Sequence, residues 1–576
     1  MSRWRLVAGI LLLSLLWWPA LPAQALGPVQ VWVDDGYCQY CGNDGHTWGV
    51  DAFDTISEAV RGVAAGGTVY IRPGNYQEDV RIARPCKLVA DGSGESILSP
   101  RFDDVTLTIA ANDVSLQGLQ IVGSKQAAIL VLGPDFQREQ IRSVALRQNV
   151  IRGGQFGVAV NVDSRRSHDP PELAPILADR TPSPVRSGAL PGLQLANNSS
   201  SSQPSWNYGL LPATGIVIDG NTVSGCKRSI YVYNAEASIE GNAISELADD
   251  GIGIYSSQGS IARIRRNTVS VDAPGSRAVY ILDNRDTTIE GNKLVGTTEI
   301  LTPTTALVLY SYTNLLVADN TIHGFYWGAS AGTGGSARIV GNTFEGTVGW
   351  ALDVGTAITT TQVAIENNVI RDSYGGLRLD DNSGYGLEAA VEGNAFHDNV
   401  VAIQLGASVA KDQVRIRGNT ICGNLVAGLR NDSQVPVDAA NNWWGSNDGP
   451  RPAGSGDRIE GAGAAFVDPW LRLLASTRVQ RDGRVTVTAS FGSSGYYLRD
   501  RVVTFTTNAG TFAETSSASR TTFTDQWGEA QATLFPPPNG AANITVSSTC
   551  GQAVTVRAPS SLELRPGRLL PPAPSY

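Results

Sequence analysis

Two phrases of apolar and polar residues alternate along most of this chain. The first runs aliphatic, variable, Gly or Asn, Asn, variable, apolar, as in Ile239-Glu240-Gly241-Asn242-Ala243-Ile244 and Val391-Glu392-Gly393-Asn394-Ala395-Phe396. Its second Asn returns every 21 to 28 residues, at Asn221, Asn242, Asn267, Asn292, Asn320, Asn342, Asn368, Asn394, Asn419 and Asn442. About ten residues after each comes the second phrase, a small residue and then an alternating apolar pair. The small residues are Gly157, Ser229, Gly251, Ala278, Ala306, Gly328, Ala351, Gly376, Ala402 and Gly428. The pairs include Val158/Val160, Ile230/Val232, Ile252/Ile254, Leu352/Val354 and Leu377/Leu379. Alternation with period two predicts strands with one face inward. A fixed repeat of this length predicts a solenoid, and strands in each repeat exclude helical arrays. The expected architecture is therefore a parallel β-helix of about 14 turns, roughly 65 Å long at the interstrand spacing of about 4.8 Å. The recurrent Asn is read as a corner residue that tolerates the left-handed backbone conformation and whose side chains stack along the column.

The pattern also places the boundaries. Residues 1–25 read as a signal peptide: Arg3 and Arg5, an apolar run from Leu6 to Trp18, and Ala23-Gln24-Ala25 as a small-x-small cleavage site. The run is short for a retained anchor helix and Pro19 ends it. Residues 26–67 hold a strand (29–33), a Cys-containing loop and an amphipathic helix at 55–65, with Thr55 and Glu58 as a capping box and Phe53, Ile56, Val60 and Val63 on one face. That helix would cover the open first coil. Coils occupy 68–450, broken by a Pro-, Ser- and Arg-rich insertion at 163–213. Trp443-Trp444 would plug the last coil, and 451–471 form a connector. Strand-like runs separated by turns over 472–557 read as a small β-sandwich. The Pro-rich 558–576 read as a disordered tail.

Composition narrows the function classes. A net charge of −9, from 44 Lys and Arg against 53 Asp and Glu, leaves no nucleic-acid footprint. No second apolar segment would span a membrane once the signal is removed, so the expected location is secreted or cell surface. Six Cys in an exported chain point to disulfides. Cys226 and Cys422 lie eight repeats apart, about 38 Å at the coil spacing, too far to pair, and are read as buried free thiols. Cys550 falls in the other domain. Cys38, Cys41 and Cys86 remain as disulfide candidates with one left over, and with His46 they form the alternative of a Cys₃His zinc site. The exported context favours the disulfide, so no metal and no cofactor is expected.

Several phrases carry a family resemblance. Val31-Trp32-Val33-Asp34-Asp35, Phe53-Asp54-Thr55-Ile56 and Gly67-Thr68-Val69-Tyr70-Ile71-Arg72-Pro73-Gly74-Asn75-Tyr76-Gln77-Glu78 resemble the opening of secreted NosD-like proteins of the pectin-lyase-like superfamily. Asn441-Asn442-Trp443-Trp444-Gly445, followed by Gly449-Pro450, is similar to their closing phrase. Val503-Thr504-Phe505-Thr506-Thr507, Gly510-Thr511-Phe512, Thr524-Asp525 with Gly528-Glu529-Ala530, and Ile544-Thr545-Val546-Ser547 resemble bacterial Ig-like domains of the invasin/intimin type. The resemblance implies an all-β chain: a right-handed parallel β-helix over roughly 29–470 followed by a small Ig-like β-sandwich acting as spacer or adhesive module. The superfamily includes polysaccharide-active members, whose substrate lies along the outer face of one strand column.

On that face two groups stand out. Tyr231, Tyr233, Tyr255, Tyr280 and Tyr310 cluster on neighbouring turns as a candidate exposed strip for stacking on sugar rings. Beside them Asp353, Arg378 and Asp380 lie one turn apart, a candidate acid/base group, although an Asp–Arg pair on adjacent strands is also an ordinary cross-strand ion pair. Departures from enzyme patterns weigh toward binding. No calcium site of the pectate-lyase kind is visible, and Ser167-His168-Asp169-Pro170 is not the Asp-Pro-His-Asp phrase of alginate epimerases. His323 and His397 follow corner Asn residues, away from the proposed face, and one Met among 576 residues argues against a thioether copper site. The expected partner is a polysaccharide or cell-surface glycan. The alternatives are a lyase, hydrolase or epimerase acting at Asp353, Arg378 and Asp380, and a purely structural envelope protein.

Overall fold

A computed structural model describes residues 27–560 apart from 103, 133–139, 162–211, 299–302, 357–360, 382, 383, 385, 411, 412 and 494. The expected signal peptide, nearly all of the 163–213 insertion and the tail beyond residue 560 lie outside the described residues.

The described chain is a parallel β-solenoid followed by two antiparallel sheets. Each complete coil has three faces. In one coil Ala235–Glu240 forms the first, Ala243–Ser245 the second and Ile252–Ser257 the third, before Ile261–Arg265 starts the next coil. The strands of the second face, three or four residues long, stack into a 13-stranded sheet; the first and third faces belong to a 29-stranded sheet. Pairing begins at Gln30–Val33, which lies beside Thr68–Ile71, and extends to Gly456–Glu460 and Ala465–Phe466 beside the last coils. Inward residues of all three faces fill one continuous apolar core from Val31 to Trp444.

The Asn column runs inside a corner, but the Asn residues do not take the left-handed conformation. The residue before each one does: Gln148, Gly220, Gly241, Arg266, Gly291, Asp319, Gly341, Asn367, Gly393, Gly418 and Asn441 all have φ between 51° and 71°. A second left-handed corner falls four residues after most ladder positions, for example at Gly225, Glu246, Gly324, Asp372 and Asp398. The Asn residues are instead buried and form a hydrogen-bonded ladder. The backbone N–H and Nδ2 of Asn242 donate to Oδ1 of Asn267 (both 2.9 Å), and a second Nδ2 bond reaches the Ile218 carbonyl (2.8 Å). The same pattern runs from Asn149 to Asn442. Burying these corners without such bonds would leave several polar groups per coil unpaired, each costing about 1–3 kcal/mol. The 72-residue gap between Asn149 and Asn221, made by the insertion, hides Asn149 from a periodicity search.

One register differs from expectation. Gly253, not Gly251, aligns with Ser229 and Ala278, because Arg228, Ile252 and Arg277 are partners. A Cβ at Gly253 would lie 2.7 Å from the Ala278 carbonyl oxygen, so the position requires a minimal side chain.

The ends are closed differently. At the N-terminus the helix Ile56–Gly62 caps the stack. Thr55 Oγ1 accepts from the Glu58 N–H, while the Glu78 carboxylate, from the first coil, accepts from the N–H groups of Ile56 (2.7 Å) and Ser57 (2.9 Å). Cys38 and Cys41 are joined by a disulfide, which removes them as zinc ligands; Cys86 is buried and free, as is Cys226. Among the described residues no group of His, Cys, Asp and Glu is arranged to hold a metal ion.

At the C-terminus the expectation for Cys422 is corrected. It is bonded to Cys550 with a Cα–Cα distance of 5.9 Å, because the C-terminal sheets fold back against the last coils. One sheet is built on Arg472–Val479, Val485–Ser493 and Glu529–Phe535, the other on Val502–Thr507, Ser519–Phe523, Ala542–Ser548 and Val554–Ala558. They enclose their own core of Val487, Phe491, Phe505, Phe512, Leu534 and Ile544. Tyr496 donates to Glu392 Oε1 (2.6 Å), the Gln552 N–H donates to the Gly445 carbonyl (2.7 Å), and Arg501 donates to the Gly393 carbonyl. Among the described residues no helix is long and apolar enough to cross a membrane.

Candidate functional site

The outward columns of the third face hold the candidate site residues. Register places Tyr231, Tyr255, Tyr280, Val308, Ser330, Asp353, Arg378, Gln404 and Arg430 in one ladder. A second ladder, two residues on, holds Tyr233, Ser257, Leu282, Tyr310, Gly332, Gly355 and Asp380. Tyr255 thus belongs with Tyr231 and Tyr280, not with Tyr233, a consequence of the register at Gly253.

The expected exposed tyrosine strip is corrected. Tyr231, Tyr255 and Tyr280 are buried, Tyr255 to 1 % exposure. Their rings cover one another: Phe156 stacks on Tyr231 at 5.6 Å, Tyr231 on Tyr255 at 4.7 Å, and Tyr255 meets Tyr280 edge-on at 5.0 Å. Neighbouring coils hold equivalent positions about 4.8 Å apart, so aromatic side chains in one ladder pack against one another. Only Tyr233 and Tyr310, at the margin, remain half-buried.

The charged group is assembled as the register demands. Asp353 and Arg378 are direct ladder partners, and Gly355 is the partner of Asp380. Arg378 Nη2 donates to Asp380 Oδ2 at 3.1 Å along the strand. Asp380 is 5 % exposed, and its Oδ1 is buried with no hydrogen-bond partner among the described residues. On the next coil stands Gly406, where a Cβ would fall 2.2 Å from Asp380 Cγ. Burial raises the Asp353 carboxyl to about 6; the nearby Asp380 carboxylate adds to the rise and Arg378 opposes it.

Three features were missed in the sequence. The first is a patch of aromatic rings at the start of the same strands. Trp350, buried, meets Tyr374 edge-on at 6.4 Å, and Trp327, half-buried, packs in the same satellite cluster with Val401 and Ala427. Tyr374 is 45 % exposed. Trp350 precedes Asp353 by three residues, roughly 10 Å along the strand. These positions precede the alternating pair, so period two does not mark them as outward. The second is the arrangement at Arg430, whose Nε donates to both Asp432 oxygens (3.0 Å each) while Gln404 Nε2 donates to Oδ2 (2.6 Å). The third is a short second ladder, in which Ser373, Asn399 and Asn424 hydrogen-bond in turn and end on the Asp457 carboxylate. Asn399-x-x and Asn424-x-x lie five residues after the main ladder, and that offset was the available signal.

Comparison with known proteins agrees with the architecture. The family described as "Right handed beta helix region" matches residues 192–361 and, in a second alignment, 251–421. The described coils form a right-handed parallel β-helix. No curated protein matches the chain. Among solved structures, the mannuronan C-5 epimerase AlgE6 A-module of Azotobacter vinelandii is similar at 11 % identity and TM-score 0.33, covering 70 % of this chain and 91 % of that one. A tailspike protein mutant of E. coli bacteriophage HK620 in complex with pentasaccharide is similar at 10 % identity and TM-score 0.32, covering 92 % of this chain and 93 % of that one. The enzymatically active domain of bacteriophage CBA120 tailspike protein 2 is similar at 11 % identity and TM-score 0.24, covering 89 % and 68 %.

Proposed function

We propose that this is an exported glycan-interaction protein that holds polysaccharide along the third face of its β-helix. Asp353, Arg378 and Asp380 form the polar centre of the site. Trp327 and Tyr374 supply rings for stacking on one side, and Tyr233 and Tyr310 border it along the ladder. The C-terminal sheets serve as an Ig-like spacer or adhesion module fixed to the last coils. The observation that carries this reading is the grouping on one outward face of Asp353, Arg378 and Asp380 with the exposed ring of Tyr374 at the start of the same strands. Carboxylate and guanidinium groups bond to sugar hydroxyls, and an exposed aromatic ring covers the apolar face of a sugar.

A second reading, acid/base catalysis on the glycan by a hydrolase, lyase or epimerase, is favoured by one observation. Asp353 is raised to about 6 by burial, with a second carboxylate beside it, so this carboxyl can hold and release a proton near neutral pH. A glycan-array screen of the purified full chain, with mass-spectrometric analysis of every bound glycan, separates these readings. Binding without new products supports the interaction protein; shortened, unsaturated or epimerised products, lost in Asp353→Asn, support the enzyme. Absence of any bound glycan removes both.

A further inference from the structure

The two disulfides differ in span and in access. Cys422–Cys550 joins residues 128 apart, Cys422 is fully buried, and the bond lies in the core of the C-terminal sheets, where Trp443 Nε1 donates to the Cys550 carbonyl (3.4 Å). Cys38–Cys41 joins residues three apart in the phrase Cys38-Gln39-Tyr40-Cys41, on the loop that follows the first strand. Cys38 is half-buried and Cys41 is exposed. A cross-link over so short a loop removes little entropy from the unfolded chain, whereas one over 128 residues removes much more. The long bond fits a structural link; the short one adds little to stability and leaves a sulfur open to solvent.

The loop around Cys38 and Cys41 is also held by bonds that do not involve sulfur. The buried Asn43 side chain accepts from the Cys38 N–H at Oδ1 (3.0 Å) and donates from Nδ2 to the Cys38 carbonyl (2.9 Å). The Cys41 N–H donates to the same carbonyl (3.1 Å), the Tyr37 N–H to the Asp34 carbonyl (3.0 Å) and the Gly45 N–H to the Gly42 carbonyl (3.0 Å). These bonds keep the two cysteines at a Cα–Cα distance of 5.1 Å whether or not the sulfurs are joined. The pair can therefore open and close without unfolding, because each sulfur stays at high effective concentration for the other. Tyr40, between them, is 90 % exposed, so this side of the loop faces solvent.

We infer that Cys38–Cys41 is a thiol–disulfide exchange site whose substrate class is a thiol. A substrate thiolate attacks Cys41 Sγ, the exposed sulfur. A new S–S bond forms there, the Cys38–Cys41 bond breaks, and its electron pair stays on Cys38 Sγ, which takes a proton from water. A second substrate thiolate attacks the substrate sulfur of this mixed disulfide and releases Cys41 as a thiolate, which is protonated in turn. Two thiols are thus oxidised to one disulfide while the protein pair is reduced to two thiols, and the reverse sequence closes the pair at the expense of an oxidised substrate. Cys86 and Cys226 take no part, because both are buried. The site lies beside the first coil and is independent of the glycan reading.

The test treats the native full-length protein with dithiothreitol at neutral pH, blocks free thiols with a maleimide at timed intervals and locates the label by peptide mass spectrometry. Cys38 and Cys41 are expected to become labelled at least about tenfold faster than Cys422 and Cys550, with about one oxidised dithiothreitol formed per chain at that stage. Far-UV circular dichroism is expected to stay unchanged, and the melting temperature to fall by less than about 5 °C, on this selective reduction. Two variants then assign the attacked sulfur. Cys38→Ser incubated with oxidised glutathione is expected to trap glutathione on Cys41, and Cys41→Ser to trap it on Cys38 at least about tenfold more slowly. Opening of Cys38–Cys41 no faster than that of Cys422–Cys550, or a fall in melting temperature of more than about 5 °C when it alone is reduced, would overturn the inference and leave the bond as a staple of the loop. Equal trapping rates in the two variants would overturn the assignment of Cys41 as the attacked sulfur. The timed labelling uses the unaltered chain, so it decides the main point even where a variant fails to fold.

Discussion

Trp443 and Trp444 are consecutive and both fully buried, yet they belong to different hydrophobic cores. Trp444 closes the core of the solenoid, whereas Trp443 packs edge-on against Phe491 at 5.2 Å within the core of the C-terminal sheets. Alternation along an extended segment sends neighbouring side chains to opposite sides, and here the two sides are two structural units. Replacing either Trp with Ala is expected to cost about 3–5 kcal/mol. Residue-resolved hydrogen exchange should separate them: Trp444→Ala exposes the last coils around 414–431, and Trp443→Ala exposes 485–491 and 530–534. Identical exchange patterns in the two variants would contradict the division.

The Asn ladder predicts an unusual sensitivity to a single amide. Asn320 accepts from the backbone and side chain of Asn292 and donates to Asn342 and to the Ile289 carbonyl. Asn320→Ala leaves several of these groups buried and unpaired, a loss of at least about 3 kcal/mol. Asn320→Asp keeps the shape but sets a carboxylate oxygen against the Ile289 carbonyl, and should be no better than Ala at neutral pH. Denaturant midpoints of the two variants check both statements.

The corner before the ladder makes the opposite prediction. Gly241 has φ of 64°, and a Cβ there would meet nothing closer than 3.6 Å. Space is available, so only backbone preference matters. Gly241→Asn is expected to change stability by less than about 1 kcal/mol, and Gly241→Val to cost about 1–3 kcal/mol because a β-branched residue resists positive φ. Equal melting temperatures for the two would rule this out.

Thiol chemistry gives a direct check on the pairing. Cys86 and Cys226 are buried and their thiols are raised to about 12 by desolvation, while the other four cysteines are bonded. A thiol reagent should label nothing in the native protein and only these two positions after unfolding without reductant. Labelling of Cys422 or Cys550 in the unreduced chain would refute the link between the two units.

Asp353 carries a pH signature. Its folded value, about 6, lies above its ordinary value of 3.8, so between these values the folded state holds more protons than the unfolded state. Stability contributed at this position is therefore present below about pH 4 and falls as pH rises through 6. The difference in melting temperature between the parent and Asp353→Asn should change across that window, with the parent losing ground as pH increases. A difference that is constant from pH 4 to 7 would show that Asp353 is not desolvated.

Much of the solenoid was legible because its two phrases repeat: the ladder positions, the inward pairs and the Asp353/Arg378/Asp380 neighbourhood follow from spacing alone. What spacing misjudged was local. Asn242 and its equivalents looked like corner residues because Asn favours positive φ, yet the preceding Gly, Asp, Asn or Arg takes that conformation so that the amide can turn inward. Spacing picks Gly251 in place of Gly253 because both are small, and packing against the Ala278 carbonyl distinguishes Gly253. The tyrosines were read as exposed because outward was equated with solvent, and aromatic rings stacked at the coil spacing shield each other. Cys422 and Cys550 lie 128 residues apart and in different sheets, and no repeat carries information about how one unit docks on the other.

The ladder also has a sense. From Asn149 onward every backbone N–H and one Nδ2 proton point to the carboxamide of the following coil, and none is reversed. The chain of amides terminates at Asn442, whose Nδ2 turns to the Ile416 and Ala439 carbonyls instead of a further side chain. Each amide thus polarises the next in one direction, like dipoles in single file. The two ends of the file are not equivalent: a coil grafted beyond Asn442 would have to recapture that amide from the backbone, whereas at the other end the Asn149 oxygen already accepts from the Leu119 N–H of the preceding coil. Growth or shortening of such a rod by whole coils is therefore directional, and the C-terminal sheets sit at the end where the file stops.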